Sequence, residues 1–113
     1  MSPRYVPDEG DLVWLEFDPQ AGHEQAGKRP GLVLSPAAYN KPSGLMIACP
    51  ITSQVKGYPF EVPLPPGLKV QGVVLADQVN SLDWKARKAS KSDVAPKAVM
   101  DEVLAKLAAL LSL

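Results

Sequence analysis

Apolar residues in this chain fall into short runs separated by proline, glycine and small polar residues, and only the last segment carries a helical repeat. From Gly10 to Phe17, Leu12, Trp14 and Glu16 alternate with Asp11, Val13 and Leu15, which predicts a first strand with different side chains on its two faces. Residues 18–28 predict a long loop, of a length that suggests function. Arg29–Leu34 and Leu45–Thr52 predict the second and third strands. Both are nearly uniformly apolar, so they are expected to be central and covered on both faces. The intervening Pro36–Ser43 predicts one short helical turn before Gly44. Phe60–Leu64 and Gly72–Ala76 predict two further strands around a Pro65-Pro66-Gly67 turn, and residues 86–91 a sixth, cationic and therefore suited to an exposed edge. Pro96 stands near a helix start, and Val99, Val103, Leu107 and Leu110 repeat on one face of the helix that follows.

Short strands closed by a carboxy-terminal amphipathic helix predict a mainly β fold: a small, strongly bent barrel with one helix packed on it. The pattern alone leaves an OB-like barrel open. The chain has 113 residues, 12 prolines and 8 glycines, with no repeat or second domain in its pattern, so residues 1–113 read as a single domain. At 46% apolar it is too hydrophobic for wholesale disorder. The formal net charge is zero, which excludes a global basic footprint, yet the charges are unevenly placed. Residues 8–24 carry acids and no lysine or arginine, whereas 84–97 hold Lys85, Arg87, Lys88, Lys91 and Lys97 against Asp93 alone. The single cysteine, Cys49, lies in an apolar stretch and reads as an inert core residue. The amino terminus has no apolar signal-like region, and no apolar run approaches the roughly 18 residues that span a bilayer. A cytoplasmic location is expected.

The chemistry concentrates in Gly22-His23-Glu24-Gln25-Ala26-Gly27-Lys28-Arg29-Pro30. Lys28 and Arg29 set a point charge beside a planar fork of donors that suits phosphate oxygens. Proline after Arg29 biases that residue towards extended backbone, at the mouth of a strand. A solvated hairpin with two surface cations is the alternative. Glu24, beside two cations, suits a base or a partner that orients Arg29. Thr52 ends the third strand, where its hydroxyl either donates into a groove or simply packs. One histidine and one cysteine cannot build a zinc site, so neither metal nor other cofactor is expected. Phe17, Gln25, Asn40, Lys56, Tyr58 and Gln78 are candidate contacts to a single-stranded nucleic acid, because each falls in or beside a loop expected to border Arg29. Trp14 and Trp84 read as packing residues.

Arg4-Tyr5-Val6-Pro7-Asp8, Gly10-Asp11-Leu12-Val13-Trp14, Phe17-Asp18-Pro19, Glu24-Gln25-Ala26-Gly27, Arg29-Pro30, Leu34-Ser35-Pro36, Tyr39-Asn40, Lys56-Gly57-Tyr58-Pro59-Phe60-Glu61-Val62 and Leu75-Ala76-Asp77-Gln78-Val79 occur in this order. Together they resemble the MazF/PemK family of toxin–antitoxin endoribonucleases, from Arg4 to about Pro96. The resemblance implies an SH3-like barrel of the MazF/CcdB type and a toxin that cleaves single-stranded RNA, chiefly mRNA, at specific sequences without metal. The products it implies are 2′,3′-cyclic phosphate and 5′-hydroxyl ends, with arrest of translation and growth. It assigns the essential arginine and threonine to Arg29 and Thr52; Glu24, from its place beside the two cations, completes the candidate catalytic set. Lys28 stands where relatives often carry histidine, so the group that protonates the leaving oxygen stays open. The resemblance also implies a homodimer whose groove carries RNA, and a MazE-like antitoxin whose acidic tail fills that groove. A gyrase-poisoning toxin of the CcdB kind and a catalytically inactive RNA-binding module are the competing readings.

Overall fold

The computed structural model describes residues 5–17 and 27–113. Seven strands form one antiparallel sheet: β1 (Asp11–Phe17), β2 (Gly27–Val33), β3 (Leu45–Thr52), β4 (Glu61–Pro63), β5 (Val73–Leu75), β6 (Asn80–Asp83) and β7 (Ser90–Val94). A short helix α1 (Ala37–Ser43) joins β2 to β3, and α2 (Lys97–Leu111) ends the chain. The sheet order is β4-β5-β3-β2-β1-β7, with β6 pairing to β3. β3 is the organising strand. It pairs with β2 on one edge, and on the other with β6 through Leu45–Ala48 and with β5 through Ile51–Thr52.

Because side chains alternate across a strand, the sheet builds a core on each face. Leu12, Leu32, Cys49 and Ile51 join Val99, Met100 and Val103 of α2 on one face. Val13, Leu15, Val33, Met46, Ala48 and Trp84 form the core on the other, with Phe17 packed against it. The alternation read in β1 therefore holds residue by residue.

Four expectations need correction. β3 is not covered on both faces: Leu45 and Ile47 are 37% and 39% exposed, because the core under α2 reaches Cys49 and Ile51 but not the start of the strand. The helical stripe also runs out early, since Val99 and Val103 are buried but Leu110 is 42% exposed. The edge strand lies at 90–94 rather than 86–91. Residues 84–89 turn instead, with Arg87 N–H donating to the Asp83 carbonyl and Ala89 N–H to that of Trp84. Finally, β6 was not expected at all: Asn-Ser-Leu-Asp is too polar to announce a strand and is held by its partner β3.

Asn40 is likewise structural rather than a nucleic-acid contact. It is fully buried in α1; its Nδ2 donates to the Pro7 and Ser35 carbonyls at 2.7 and 2.9 Å, and its Oδ1 accepts from Ser35 Oγ at 2.6 Å. Its backbone carbonyl accepts Trp84 Nε1 at 2.8 Å, so one residue ties the amino-terminal segment, α1 and the β6–β7 turn together. At the amino end of this network, Asp8 accepts the Ala37 and Glu9 amides, which hold its carboxyl below the usual range, the Ala37 bond most strongly.

Gly72 lies directly beneath the end of β3. Its φ is +120°, and a Cβ there would press into the Thr52 carbonyl, well inside van der Waals contact. Only glycine combines that backbone with that approach.

Two substitutions test these contacts. Asn40→Ala should lower stability by about 2–3 kcal/mol, since it strands buried donors and acceptors; a melting temperature within a degree of wild type would contradict this. Gly72→Ala should destabilise by more than about 1 kcal/mol and move the Thr52 backbone, read as amide chemical-shift changes centred on Thr52 and Ser53. Unchanged shifts there would show that the approach is not constraining.

Candidate functional site

The β2–β3 register sets the site. Gly31 faces Pro50, Leu32 faces Cys49 and Val33 faces Ala48. The same offset, carried two residues past Gly31, brings Arg29 opposite Thr52. Backbone pairing to β3 stops at Gly31, next to Pro30, while Gly27–Pro30 continue to pair with β1. Neither Pro30 nor Pro50 has an N–H to offer, so this is where the two strands can part without losing ladder bonds. Alternation places Arg29 on the face of β2 that carries Val33, and Thr52 on the face of β3 that carries Met46 and Ala48. Phe17 shares that face from β1.

A groove of about 780 Å³ opens there, lined by Phe17, Lys28, Arg29, Pro50, Thr52, Gln54, Gln78 and Asn80 among others. Lys28 and Arg29 are exposed at its rim and Thr52 is half-buried. Thr52 Oγ1 accepts the Gln54 amide at 3.1 Å, which leaves its O–H to donate into the groove. A smaller recess of about 200 Å³ adjoins, sharing Thr52, Gln54, Leu75 and Gln78 and adding Lys56, Tyr58 and Asp77. The structure thus brings together Phe17, Lys28, Arg29, Thr52, Lys56, Tyr58 and Gln78. It leaves Asn40 outside, in the core. Glu24 and Gln25 lie outside the described residues, as does His23.

Electrostatics favour an anionic occupant at this rim. Besides Lys28 and Arg29, Lys69 lines the groove, and the Arg87 guanidinium sits 4.3 Å from the centroid of the Phe17 ring. Arg87 comes from the basic 84–97 segment, and its place beside Phe17 could not be read from chain order. One face of Phe17 is occupied by this cation, so a stacked base would use what remains of the ring. Glu61 and Gly72 were also missed. Glu61 holds the loop after Thr52 and Gly72 supports Thr52 from below, and no local pattern marks either. Cys49 lines the groove wall but is unsuited to nucleophilic chemistry: burial, with a smaller contribution from Asp77, pushes its thiol up to about 12. Among the described residues, no three His, Cys, Asp or Glu side chains gather as a metal site.

A family model described as PemK-like, MazF-like toxin of type II toxin–antitoxin system matches residues 8–111. The chain is 56% identical over 98 residues to endoribonuclease toxin MazF of Escherichia coli (strain K12), covering 86% of this chain and 87% of that protein. It is 37% identical over 109 residues to endoribonuclease PemK of Escherichia coli, covering 93% and 82%. A crystal structure of MazE–MazF (Form-II) from Deinococcus radiodurans superposes with a TM-score of 0.93 at 63% identity, over 97% of this chain and 99% of that one. Nothing in these matches supports the gyrase-poisoning alternative. The fold, the groove and a family match along nearly the whole chain agree, and the chain belongs to the PemK/MazF family of type II toxin–antitoxin toxins.

Proposed function

We propose that this chain is a sequence-specific endoribonuclease toxin that cleaves single-stranded RNA, chiefly mRNA, without a metal ion. The observation that carries this reading is the placement of Arg29 and Thr52 across one groove on one face of the sheet. The ribose 2′-hydroxyl gives up its proton and attacks its own 3′-phosphate, and the 5′-oxygen of the next nucleotide leaves and takes up a proton. The products are a 2′,3′-cyclic phosphate and a 5′-hydroxyl. Arg29 grips two non-bridging oxygens with its guanidinium fork, and the Thr52 hydroxyl donates to the same phosphate as charge builds. Glu24 belongs to the catalytic set, as base for the 2′-hydroxyl or as the carboxylate that orients Arg29. Lys28, Lys56 and Gln25 hold the strand, while Phe17 and Gln78 meet its bases. The size of the groove and its basic rim also suit the acidic tail of a MazE-like antitoxin, which would block RNA by occupying its place. The toxin and its targets meet in the cytoplasm. Consistent with this, no helix among the described residues is long and apolar enough to cross a membrane.

The chain works as a homodimer. Leu45 and Ile47 present two large apolar side chains on one uncovered strand face, and a symmetric copy is a natural cover for such a patch. Light scattering at micromolar concentration should give twice the chain mass, and Ile47→Lys should reduce it towards one. A wild-type monomer with full activity would contradict the dimer.

The chemistry is tested with a defined RNA in EDTA. Cleavage should persist, leave 5′-hydroxyl ends and fail on an all-deoxy copy of the same strand. Arg29→Ala should cost on the order of 10²–10³ in single-turnover rate, with stability changed by less than about 1 kcal/mol because Arg29 is exposed. Arg29→Lys should recover little, since a point charge lacks the fork. A folded Arg29→Ala protein that cuts at near wild-type rate would remove Arg29 from the mechanism.

A further inference from the structure

The segment between Thr52 and β4 bears Lys56 and Tyr58, whose side chains border the recess beside Thr52. As an eight-residue connection, residues 53–60, exposed at every position but Phe60, it has little packing of its own. It is held instead by two charged groups. Glu61 is 9% exposed, and its carboxylate accepts two consecutive amides of the loop: Lys56 N–H on Oε2 at 3.1 Å and Gly57 N–H on Oε1 at 2.9 Å. Gly57 adopts φ +81°, which turns its amide towards the carboxylate beside that of Lys56. The Glu61 amide in turn donates to the Tyr58 carbonyl at 3.1 Å. From the other side, Lys106 of α2 donates Nζ to the Pro59 carbonyl at 2.7 Å, with Glu102 3.7 Å away.

From this geometry we infer that Glu61 is a positioning residue for RNA, acting through the 53–60 loop, with Lys106 as its second anchor. The inference rests on the endoribonuclease reading of the groove. Glu61 borders the same recess, but both its carboxylate oxygens are taken up by the loop amides. It fixes the loop backbone so that Lys56 stands at the recess before RNA arrives, and substrate binding then carries less of the cost of ordering the loop. Two carboxylate oxygens on two adjacent amides form a fixed bidentate clamp, which a neutral side chain of the same shape cannot reproduce. Glu61→Gln keeps the volume but turns one acceptor into an NH₂ group facing an N–H. The loop then loses one tie and gains a repulsive contact.

The test is steady-state and single-turnover cleavage of a defined RNA by full-length wild type, Glu61→Gln, Lys106→Met, Lys56→Ala and the two double variants with Lys56→Ala. Glu61→Gln should raise KM by about tenfold while kcat changes by less than about threefold, the signature of lost binding rather than lost chemistry. Lys106→Met should act in the same direction. Lys56→Ala should cost clearly less in the Glu61→Gln background than in wild type, a coupling that general destabilisation would not produce. If Glu61→Gln does not fold, Lys106→Met decides on the same two readouts, because Lys106 sits on the helix surface and leaves the carboxylate clamp intact. A folded Glu61→Gln with wild-type KM and a full Lys56→Ala effect overturns the inference, as does a Lys106→Met protein indistinguishable from wild type. Loss confined to kcat overturns it too. Wild type that cuts no RNA would instead sink the endoribonuclease reading, and is distinguished by involving no substitution.

Discussion

Three antiparallel backbone pairs, Gly31 with Pro50, Leu32 with Cys49 and Val33 with Ala48, join β1, β2 and β7 to the strands gathered on β3. Their register decides which residues meet at the open end. A slip of one residue would send Thr52 to the opposite face from Arg29 and move Cys49 and Ile51 out of the core under α2. The hydrophobic cores on the two faces therefore enforce the register, and the register assembles the groove. Burying Leu32 on one side and Val33 on the other stabilises the fold and aims Arg29 at once. Pro50 in the last pair and Pro30 beside it end the ladder at the mouth of the groove.

Rigidity around that opening comes from parts of the chain distant in sequence. Gly72 leaves the Thr52 carbonyl the room that a Cβ would fill, and the Gln54 amide fixes the Thr52 hydroxyl as an acceptor. The loop beyond is tied by Glu61 and Lys106, and the far rim carries Phe17 with Arg87 against its ring. Apart from the close approach at Gly72, each tie is a backbone carbonyl, a backbone amide or a ring face engaged by one side chain. Such contacts position without large burial, which suits an exposed groove proposed to bind a polyanion.

Strand positions and the two-faced character of β1 were legible in the sequence, because period-two alternation and proline–glycine punctuation are local signals. The extended backbone at Arg29 was legible too, from the proline after it. β6 was not, since Asn80–Asp83 becomes a strand only through pairing to Leu45–Ala48. Asn40 misled for a related reason. Its polar side chain in a short connection reads as a surface contact, whereas its partners Pro7, Ser35 and Trp84 come from three separate segments. Glu61 was invisible for the converse reason, as a carboxylate at a strand start whose role is set by amides that fold back onto it. The run of apolar residues in β3 overstated its burial, because hydrophobic composition does not show that the core under α2 stops short of Leu45 and Ile47.

Whether Arg29 and Thr52 hold one phosphate is tested most directly by a double-mutant cycle on single-turnover cleavage. The rates needed are those of wild type, Arg29→Ala, Thr52→Val and the double variant, on one defined RNA at saturating enzyme. If both side chains grip the same phosphorane oxygens, the double variant will be little slower than the worse single one, because the second loss removes a donor from a transition state already misplaced. Fully additive losses, with every variant folded, would mean that the two residues act on separate events and that the shared groove does not bring them to one phosphate.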